Sequence, residues 1–386
     1  MNIKLDNSQK PIIIDLGSSQ IKVGFSGQEL PKKIFNNYIG EPKYKNIFQT
    51  YSKSTPSTNK EIYIGSQCDK NLNILKLRYP IKHGVFQNSE DIYPLFNYIF
   101  SLLKIPSDEI ISHPVLITEP IHNPVDNREN ISSILFEKFL IKKLFFASQP
   151  VLSLYATSKT TGTILESGDA VTQSCVLYEG YAIPNSFERC DYGGQDVTNY
   201  LDDILKKMGF FFDTSAEKQI IKEIKEKYCY VYPSDVSENI IKNSNFDIEN
   251  HFLPDGNVIK LGVEKILPPE ILYNPEFIGL EYPGLHEMIL NSINNVDIEL
   301  RKNLYENILL SGGNMAIKGT VNKIFHEIKD KVNQHMKIKI SGPKNQHLLS
   351  WIGGAIITDM EIFKKMWITK KEWEEKGNKI LHEKTI

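Results

Sequence analysis

Residues 11–25 read PIIIDLGSSQIKVGF, and this stretch decides the fold prediction. The apolar run over residues 11–17 predicts a β-strand that ends at a Gly/Ser turn, and residues 21–25 predict a second strand that returns beside the first as a hairpin. The pattern recurs over residues 163–178, TILESGDAVTQSCVLY. Each half of the chain therefore opens with a strand, an acidic-glycine turn and a strand, which predicts two similar α/β lobes that face each other.

The first turn has the chemistry of a phosphate loop. It presents successive backbone N–H groups, Gly17 allows close approach, and Ser18 adds a hydroxyl donor. Lys22 on the return strand can reach a phosphate as a point charge. Asp15 would repel a phosphate, so its expected role is to hold the waters of a Mg²⁺ ion. Taken alone, the turn is equally typical of an ordinary Gly/Ser hairpin.

Two further glycine turns favour nucleotide binding over that simpler interpretation. Glu166-Ser167-Gly168-Asp169 opens the second half as the first turn opens the first, and Leu310-Ser311-Gly312-Gly313 follows later. Two acidic-glycine turns in matching places are unlikely to arise by chance. The sequence contains no Walker A, G-x-G-x-x-G, H-E-x-x-H or G-x-S-x-G motif that would indicate another chemistry.

Composition sets wider limits. The chain has 386 residues, 41% hydrophobic and 24% charged, with a formal net charge of −2, which suits about two globular domains. This charge gives no basis for nucleic-acid binding. The four cysteines lack metal or redox spacing and indicate free thiols in a reducing compartment. No signal peptide or membrane span is expected, because charges interrupt the most apolar stretch, residues 131–156.

Periodicity predicts several other elements. Residues 127–139 and 214–228 have helical apolar spacing, and residues 307–313 read as a buried strand that runs into a double glycine. A last helix is expected to begin near Ser350. Residues 46–60 are rich in Ser, Thr, Lys and Gln and predict a mobile loop.

The chain resembles the actin and actin-related protein family along nearly its whole length. The matching stretches, in order, are DLGSSQIKVGF, LRYPIKHG, HPVLITEP, VLSLYATSKTTG, ESGDAVT, YEGYAIP, KEIKEKYCYV, LPDG, LLSGG and WIGGAI. The resemblance implies a duplicated, two-lobed α/β ATPase fold with a nucleotide cleft between the lobes and an insert in each.

On this plan the first lobe comprises residues 1–156 and 352–386, with an insert over about 37–80 that holds a polymer-contact loop at about 46–60. The second lobe comprises residues 157–351, with an insert over about 195–279.

Within the family, the resemblance is strongest to the centractin branch, which forms the short filament of dynactin. Thr157 stands where conventional actin has serine, Arg78 stands where it has lysine, and the tail FKKMWITKKEWEEKGNKILHEKTI is close to the centractin pattern. This implies a cytoplasmic and cytoskeletal protein at the centrosome or on microtubules. Its partners would be itself or other actin-family subunits, together with dynactin subunits and dynein. A divergent conventional actin, a chromatin-remodelling subunit and a small-molecule kinase of the same fold are the alternatives. The kinase is disfavoured, because no acceptor pocket is evident.

The resemblance also implies a site for ATP or ADP with Mg²⁺. Gln149, Glu166 and Gln173 take the catalytic positions, and Asp15 and Glu166 hold the metal through water. His83 matches the histidine that actin methylates, although a packed surface histidine is an equally good interpretation. The nucleotide-binding positions are Asp15, Gly17, Ser18, Ser19, Lys22, Gly168, Asp169, Gly194, Lys222, Lys225, Glu226, Gly312, Gly313, Asn314, Ile317 and His347.

Departures from the family pattern concern hydrolysis and polymer contacts. Glu166 replaces an aspartate, Ala170 a glycine and Gln173 a histidine, while Leu16 and Ser19 replace asparagine and glycine in the first loop. At most a slow Mg²⁺-dependent ATPase is expected, with the nucleotide acting mainly as a structural ligand. The loop over residues 46–60 is longer than in actin and must lose conformational entropy on docking, which predicts weak self-association and short oligomers.

Overall fold

The computed structural model describes residues 10–43, 62–69, 71–233 and 246–384. The expected polymer-contact loop, residues 46–60, lies outside these ranges. Contacts between Cα atoms divide the chain into unit 1, Met1–Lys159 with Leu348–Ile386, and unit 2, Thr160–His347. The sequence analysis placed the two breaks after residues 156 and 351.

The strands of the described chain are β1 (Ile12–Leu16), β2 (Gln20–Phe25), β3 (Lys33–Asn36), β4 (Ile39–Pro42), β5 (Tyr63–Ile64), β6 (Leu75–Arg78), β7 (Ile81–Lys82), β8 (Val85–Phe86), β9 (Val115–Glu119), β10 (Lys143–Ser148), β11 (Gly162–Ser167), β12 (Thr172–Tyr178), β13 (Tyr181–Ala182), β14 (Glu188–Cys190), β15 (Glu249–Phe252), β16 (Val258–Leu261), β17 (Ile308–Ser311), β18 (Ile340–Ser341) and β19 (Ile368–Thr369). The α-helices are α1 (Ile92–Leu103), α2 (Val125–Ser133), α3 (Gln149–Tyr155), α4 (Gly194–Lys207), α5 (Ser215–Tyr228), α6 (Leu267–Glu270), α7 (Leu285–Asn294), α8 (Ile298–Tyr305), α9 (Thr320–Lys331), α10 (Leu349–Asp359), α11 (Lys370–Lys376) and α12 (Ile380–Glu383).

The main sheet of unit 1 has the strand order β19-β10-β9-β1-β2-β3. Strand β1 pairs antiparallel with β2 and parallel with β9. Its side chains alternate between two covered faces: Ile12 and Ile14 pack in one cluster with Phe96, and Ile13 packs in another with Trp351. Because both faces are covered, the strand is a continuous apolar run rather than an alternating one.

The main sheet of unit 2 repeats this arrangement. Its order is β13-β12-β11-β17-β18, and β14 also pairs with β12. Strand β11 pairs antiparallel with β12 and parallel with β17, as β1 does with β2 and β9. The predicted duplication is therefore confirmed, with one acidic-glycine hairpin at the centre of each sheet.

Each of the two segments predicted as inserts contains a small sheet. In unit 1, β4 pairs antiparallel with both β5 and β6. In unit 2, α4, α5 and a β15–β16 hairpin share one apolar cluster that includes Leu201, Ile224 and Ile259. The sequence analysis predicted no element at this hairpin. There Gly256 has φ +89°, and the Asp255 Oδ1 accepts a hydrogen bond of 2.9 Å from the Asn257 N–H.

The other predicted elements have mixed outcomes. The helix expected over residues 214–228 and the strand over 307–313 are confirmed as α5 and β17. The helix expected over 127–139 is α2 continued by a π-helical segment, Ile134–Lys138. The helix expected near Ser350 is α10 but is not the last, because β19, α11 and α12 follow it. In this tail, the Trp373 ring stacks on the Phe136 ring at 5.1 Å between centroids.

Candidate functional site

The first loop lies between β1 and β2, and an ion pair joins these two strands next to the loop. Asp15 and Lys22 are register partners, and the Lys22 Nζ is 2.7 Å from the Asp15 Oδ2. Ser18 and Ser19 form the turn between them. A Cβ on Gly17 would lie 2.4 Å from the Gln20 carbonyl oxygen, so glycine is required by the turn itself as well as by any ligand.

Asp15 is 2% exposed and accepts three side-chain hydrogen bonds. Besides Lys22, the Thr118 hydroxyl donates to Oδ1 at 2.5 Å, and the Gln149 Nε2 donates to the same oxygen at 3.1 Å. Burial alone would raise the pKa of Asp15, but the Lys22 charge and these hydrogen bonds outweigh it and hold the pKa below its ordinary value. The structure thus places two predicted residues, Lys22 and Gln149, against the ionised carboxylate of a third, Asp15.

The loop is also supported from behind by Asn37, which is fully buried. The Asn37 Nδ2 donates to the carbonyl oxygens of Ser18 and Ile81, each at 2.8 Å, and its backbone N–H donates to the Ser19 carbonyl at 2.8 Å. The Gly84 N–H donates to the Ser18 Oγ at 3.4 Å. His83 and Gly84 form the left-handed turn between β7 and β8. His83 therefore directly precedes a residue that contacts the first loop.

The second loop lies between β11 and β12, and its carbonyl groups are held by other elements of unit 2. The Gly168 carbonyl accepts from the Gly194 N–H at 3.0 Å and from the Asn314 Nδ2 at 2.7 Å. The Asp169 carbonyl accepts from the Gln195 N–H at 2.7 Å. The N-terminus of α4 and the loop after β17 therefore fix the second loop.

Lys225 adds a buried cation to this half of the site. Its side chain is 8% exposed, and its Nζ donates to the Gly194 carbonyl at 2.8 Å. Burial lowers the pKa of Lys225, and the Asp169 carboxylate opposes that shift. Lys222 and Glu226 follow the same face of α5 by i, i+3 and i+4 spacing, with Lys222 half-buried and Glu226 exposed.

Glu166 and Gln173 are direct register partners on β11 and β12, next to the second loop. Both are buried, and the Gln173 Nε2 donates to the Glu166 Oε2 at 3.4 Å. The amide can orient the carboxylate or a water, but it has no proton to exchange near neutral pH. The structure brings these two predicted catalytic positions together.

The double glycine after β17 has two different roles. Gly312 has φ +94°, and a Cβ there would lie 2.2 Å from the Ser167 carbonyl oxygen, whereas a Cβ on Gly313 would meet nothing within 4 Å. Packing therefore requires glycine at 312 but not at 313, and the assignment of both glycines to nucleotide binding stays a prediction. Ile317 lines a pocket of about 340 Å³ with Lys318, Lys344 and Gln346. His347 is exposed at the end of unit 2.

Two comparisons with known proteins give the family of this chain. The family model described as actin matches residues 6–386. A Neurospora crassa protein named "Actin-like protein" is 40% identical over 380 residues, which cover 97% of this chain and 97% of that protein. The chain belongs to the actin family. Members of the actin family generally bind ATP or ADP with Mg²⁺.

Two residues of the candidate site were missed by the sequence analysis. Thr118 is the next-to-last residue of the apolar strand β9, and its role depends on β9 lying beside β1. Asn37 lies in a connection whose sequence, FNNYIG, carries no loop motif. The HPVLITEP stretch is a usable signal for Thr118, since parallel neighbouring strands bring their carboxyl ends together.

The described residues limit other sites as well. All four cysteines are free thiols, as the sequence predicts. Within the described ranges, no group of three His, Cys, Asp or Glu side chains could hold a metal ion directly. In the same ranges, no helix combines the length and apolar character that a bilayer crossing requires.

Proposed function

We propose that this actin-family protein binds ATP or ADP with Mg²⁺ through its two acidic-glycine loops. The observation that carries the proposal is the repeated geometry: each hairpin places a buried acid, Asp15 or Glu166, on the strand that enters the loop. Lys22 and the backbone N–H groups near Ser18 suit phosphate oxygens, and the acids suit the water shell of a metal ion. Bound Mg²⁺ would neutralise phosphate charge.

Ligand-dependent stability tests this binding. A ligand that binds only the folded chain at 100 times its Kd adds about 2.7 kcal/mol to the free energy of unfolding. We expect Mg²⁺ with ATP or ADP to raise the melting temperature of the wild-type protein, and Lys22→Met to reduce that rise. Lys138→Met, an exposed lysine of unit 1, is the matched control. An unmoved melting temperature, in protein that carries no nucleotide when purified, would refute the proposal.

Hydrolysis in this proposal is slow, and the nucleotide is mainly a structural ligand. Glu166 is one methylene longer than the aspartate of the family pattern, so its carboxylate reaches further along the metal's water shell. Its hydrogen bond from Gln173 supports a role in holding that carboxylate. Gln173 cannot replace the imidazole of the family pattern as an acid or base. The buried Ala170 adds a methyl group within the second loop.

Single-turnover phosphate release tests this part of the proposal. We expect the assembled wild-type protein to release phosphate more slowly than conventional actin under the same conditions. The double variant Glu166→Asp with Gln173→His should raise the rate, since it restores the shorter carboxylate and the imidazole. Glu299→Asp with Gln334→His makes the same pair of changes at exposed positions of unit 2 and is the matched control. Equal rates for wild-type protein and actin would overturn the idea.

The proposed biological role is a subunit of a short filament such as that of dynactin, in the cytoplasm and cytoskeleton, supporting dynein-based transport on microtubules. The centractin-like positions support it. Arg78 forms ion pairs with Asp91 and Glu41, and the Thr157 Oγ1 donates to the Leu154 carbonyl at 2.8 Å. The centractin-like tail is an integral part of unit 1, since the Trp373 ring packs against its core.

Partner capture decides among the family's branches. Recovery of dynactin's shoulder and arm subunits with the native protein would support the centractin branch. Recovery of remodelling ATPases would indicate a chromatin-remodelling subunit instead. The purified protein alone should form only short oligomers, and long filaments under the same conditions would favour a divergent conventional actin.

A further inference from the structure

Unit 1 contains a pocket of about 290 Å³ at the C-terminal end of α1. Its apolar lining comes from Phe25 at the end of β2, from buried Leu103 at the end of α1, and from half-buried Ile105 after it. We call it the α1 pocket. None of the residues assigned to nucleotide binding lines it, so its role is separate from the two acidic-glycine loops.

Three lysines, Lys10, Lys32 and Lys104, also line the α1 pocket, against one carboxylate, Glu109. Lys32 is anchored, because its Nζ donates to the Leu103 carbonyl at 3.1 Å and lies 5.1 Å from the centroid of the Phe25 ring. Within the described residues, Lys10 and Lys104 have no side-chain ion pair. The excess of positive charge is local, since the whole chain has a formal net charge of −2.

The backbone holds two of these lysines in place. The buried His113 ring donates from Nδ1 to the Lys10 carbonyl at 2.8 Å, and its ring lies 5.8 Å from that of Phe25. Lys104 ends α1 in the left-handed conformation, with φ +58° and ψ +42°, where helices usually have glycine or asparagine. A side chain at this position carries conformational strain that glycine would avoid. The lysine at the pocket rim therefore has a local cost in stability.

We propose that the α1 pocket is a docking site for an acidic peptide segment of a partner protein, with one apolar side chain flanked by Asp or Glu. The apolar lining suits the single apolar side chain, and Lys10 and Lys104 suit the flanking carboxylates. Charge complementarity of this kind increases the association rate and selects among partners. A small inorganic anion would contact the lysines but would make no apolar contact with Phe25, Leu103 and Ile105.

Fluorescence anisotropy with a designed probe tests the proposal on the full-length protein. The probe is a dye-labelled peptide, Asp-Glu-Phe-Glu-Asp, and a second peptide has glycine in place of phenylalanine. We expect Lys10→Glu with Lys104→Glu to weaken binding of the first peptide by about tenfold, as two exposed charge pairs are reversed. The glycine peptide should bind at least about threefold more weakly than the phenylalanine peptide, since it loses the apolar contact.

Two further variants keep the test decisive. Lys138→Glu with Lys142→Glu makes the same charge change at exposed positions of unit 1 outside the pocket, and binding should change less than about twofold. Lys104→Gly removes a pocket charge and relieves the left-handed strain, so it should raise the melting temperature while weakening binding. Equal weakening by the two glutamate pairs would overturn the proposal. So would equal binding of both peptides with displacement by inorganic phosphate, which indicates a general anion site.

Discussion

Replacement of Gly312 by alanine should damage the second half of the site in a way that its neighbour does not. Gly312 has φ +94° and ψ +163°, a conformation that is essentially restricted to glycine. Its new Cβ would lie 2.2 Å from the Ser167 carbonyl oxygen, a backbone atom that can move only with the second loop. Strain and overpacking together predict that Gly312→Ala costs about 2–6 kcal/mol in the free energy of unfolding.

The same shift should speed nucleotide release. Asn314, two residues on, donates to the Ser167 Oγ at 2.9 Å and to the Gly168 carbonyl at 2.7 Å, so displacement of Ser167 loosens the second loop. The assays are urea denaturation without added nucleotide and the dissociation rate of a fluorescent ATP analogue. Gly313→Ala is the control, because its Cβ meets nothing within 4 Å, and its stability should change by less than about 1 kcal/mol. Equal losses of stability in the two variants would refute the reasoning.

Three other predictions follow from buried or capped charges. Lys323→Met should lower the free energy of unfolding, measured by urea denaturation, by about 3–5 kcal/mol, because it leaves the buried Glu270 carboxylate, 2.7 Å from the Lys323 Nζ, without its cation. Adding Glu270→Leu should restore most of that loss, and additive effects of the two changes would contradict this. The pKa of Glu372 is lowered from 4.5 to about 2, so its contribution to stability is present above pH 4.5 and is lost as the pH falls towards 2. Tryptophan fluorescence should report loosening of the tail in that pH range, and Glu372→Gln should remove this pH-dependent change. Thr118→Val removes a hydrogen bond that lowers the pKa of Asp15, so the pH below which Mg²⁺-nucleotide binding is lost should rise. Binding titrations across a range of pH measure this value, and an unchanged value would count against the role of Thr118.

The sequence predicted elements where local pattern and tertiary environment agree. The hairpin around Gly17 could be read directly, because β1 is apolar throughout and a Gly/Ser turn follows it. The pairing of Glu166 with Gln173 could have been found by counting outward from the second turn, since Ser167 faces Thr172 in the register. The two hairpins were thus accessible because they are formed by short-range contacts.

Other features depend on contacts between distant parts of the chain. Asn37 supports the first loop through carbonyl groups on two other segments, and no propensity or spacing in its own segment indicates this. The different roles of Gly312 and Gly313 depend on how close β11 comes to only one of them. The β15–β16 hairpin was missed because it buries only alternate residues, such as Ile259 and Leu261, against helices of the same insert.

Unit 1 is assembled from both ends of the chain, and this has a consequence for synthesis on the ribosome. Strand β10 pairs with β19, and Ile13 on β1 packs in one cluster with Trp351 on α10, so the sheet is incomplete until α10 and β19 have been made. Unit 2, in contrast, is one continuous segment and can fold as it emerges. Until α10 arrives, the nascent chain exposes one apolar face of a central sheet. We therefore expect the nascent chain to be most prone to aggregation after unit 2 has been made and before α10 and β19 follow.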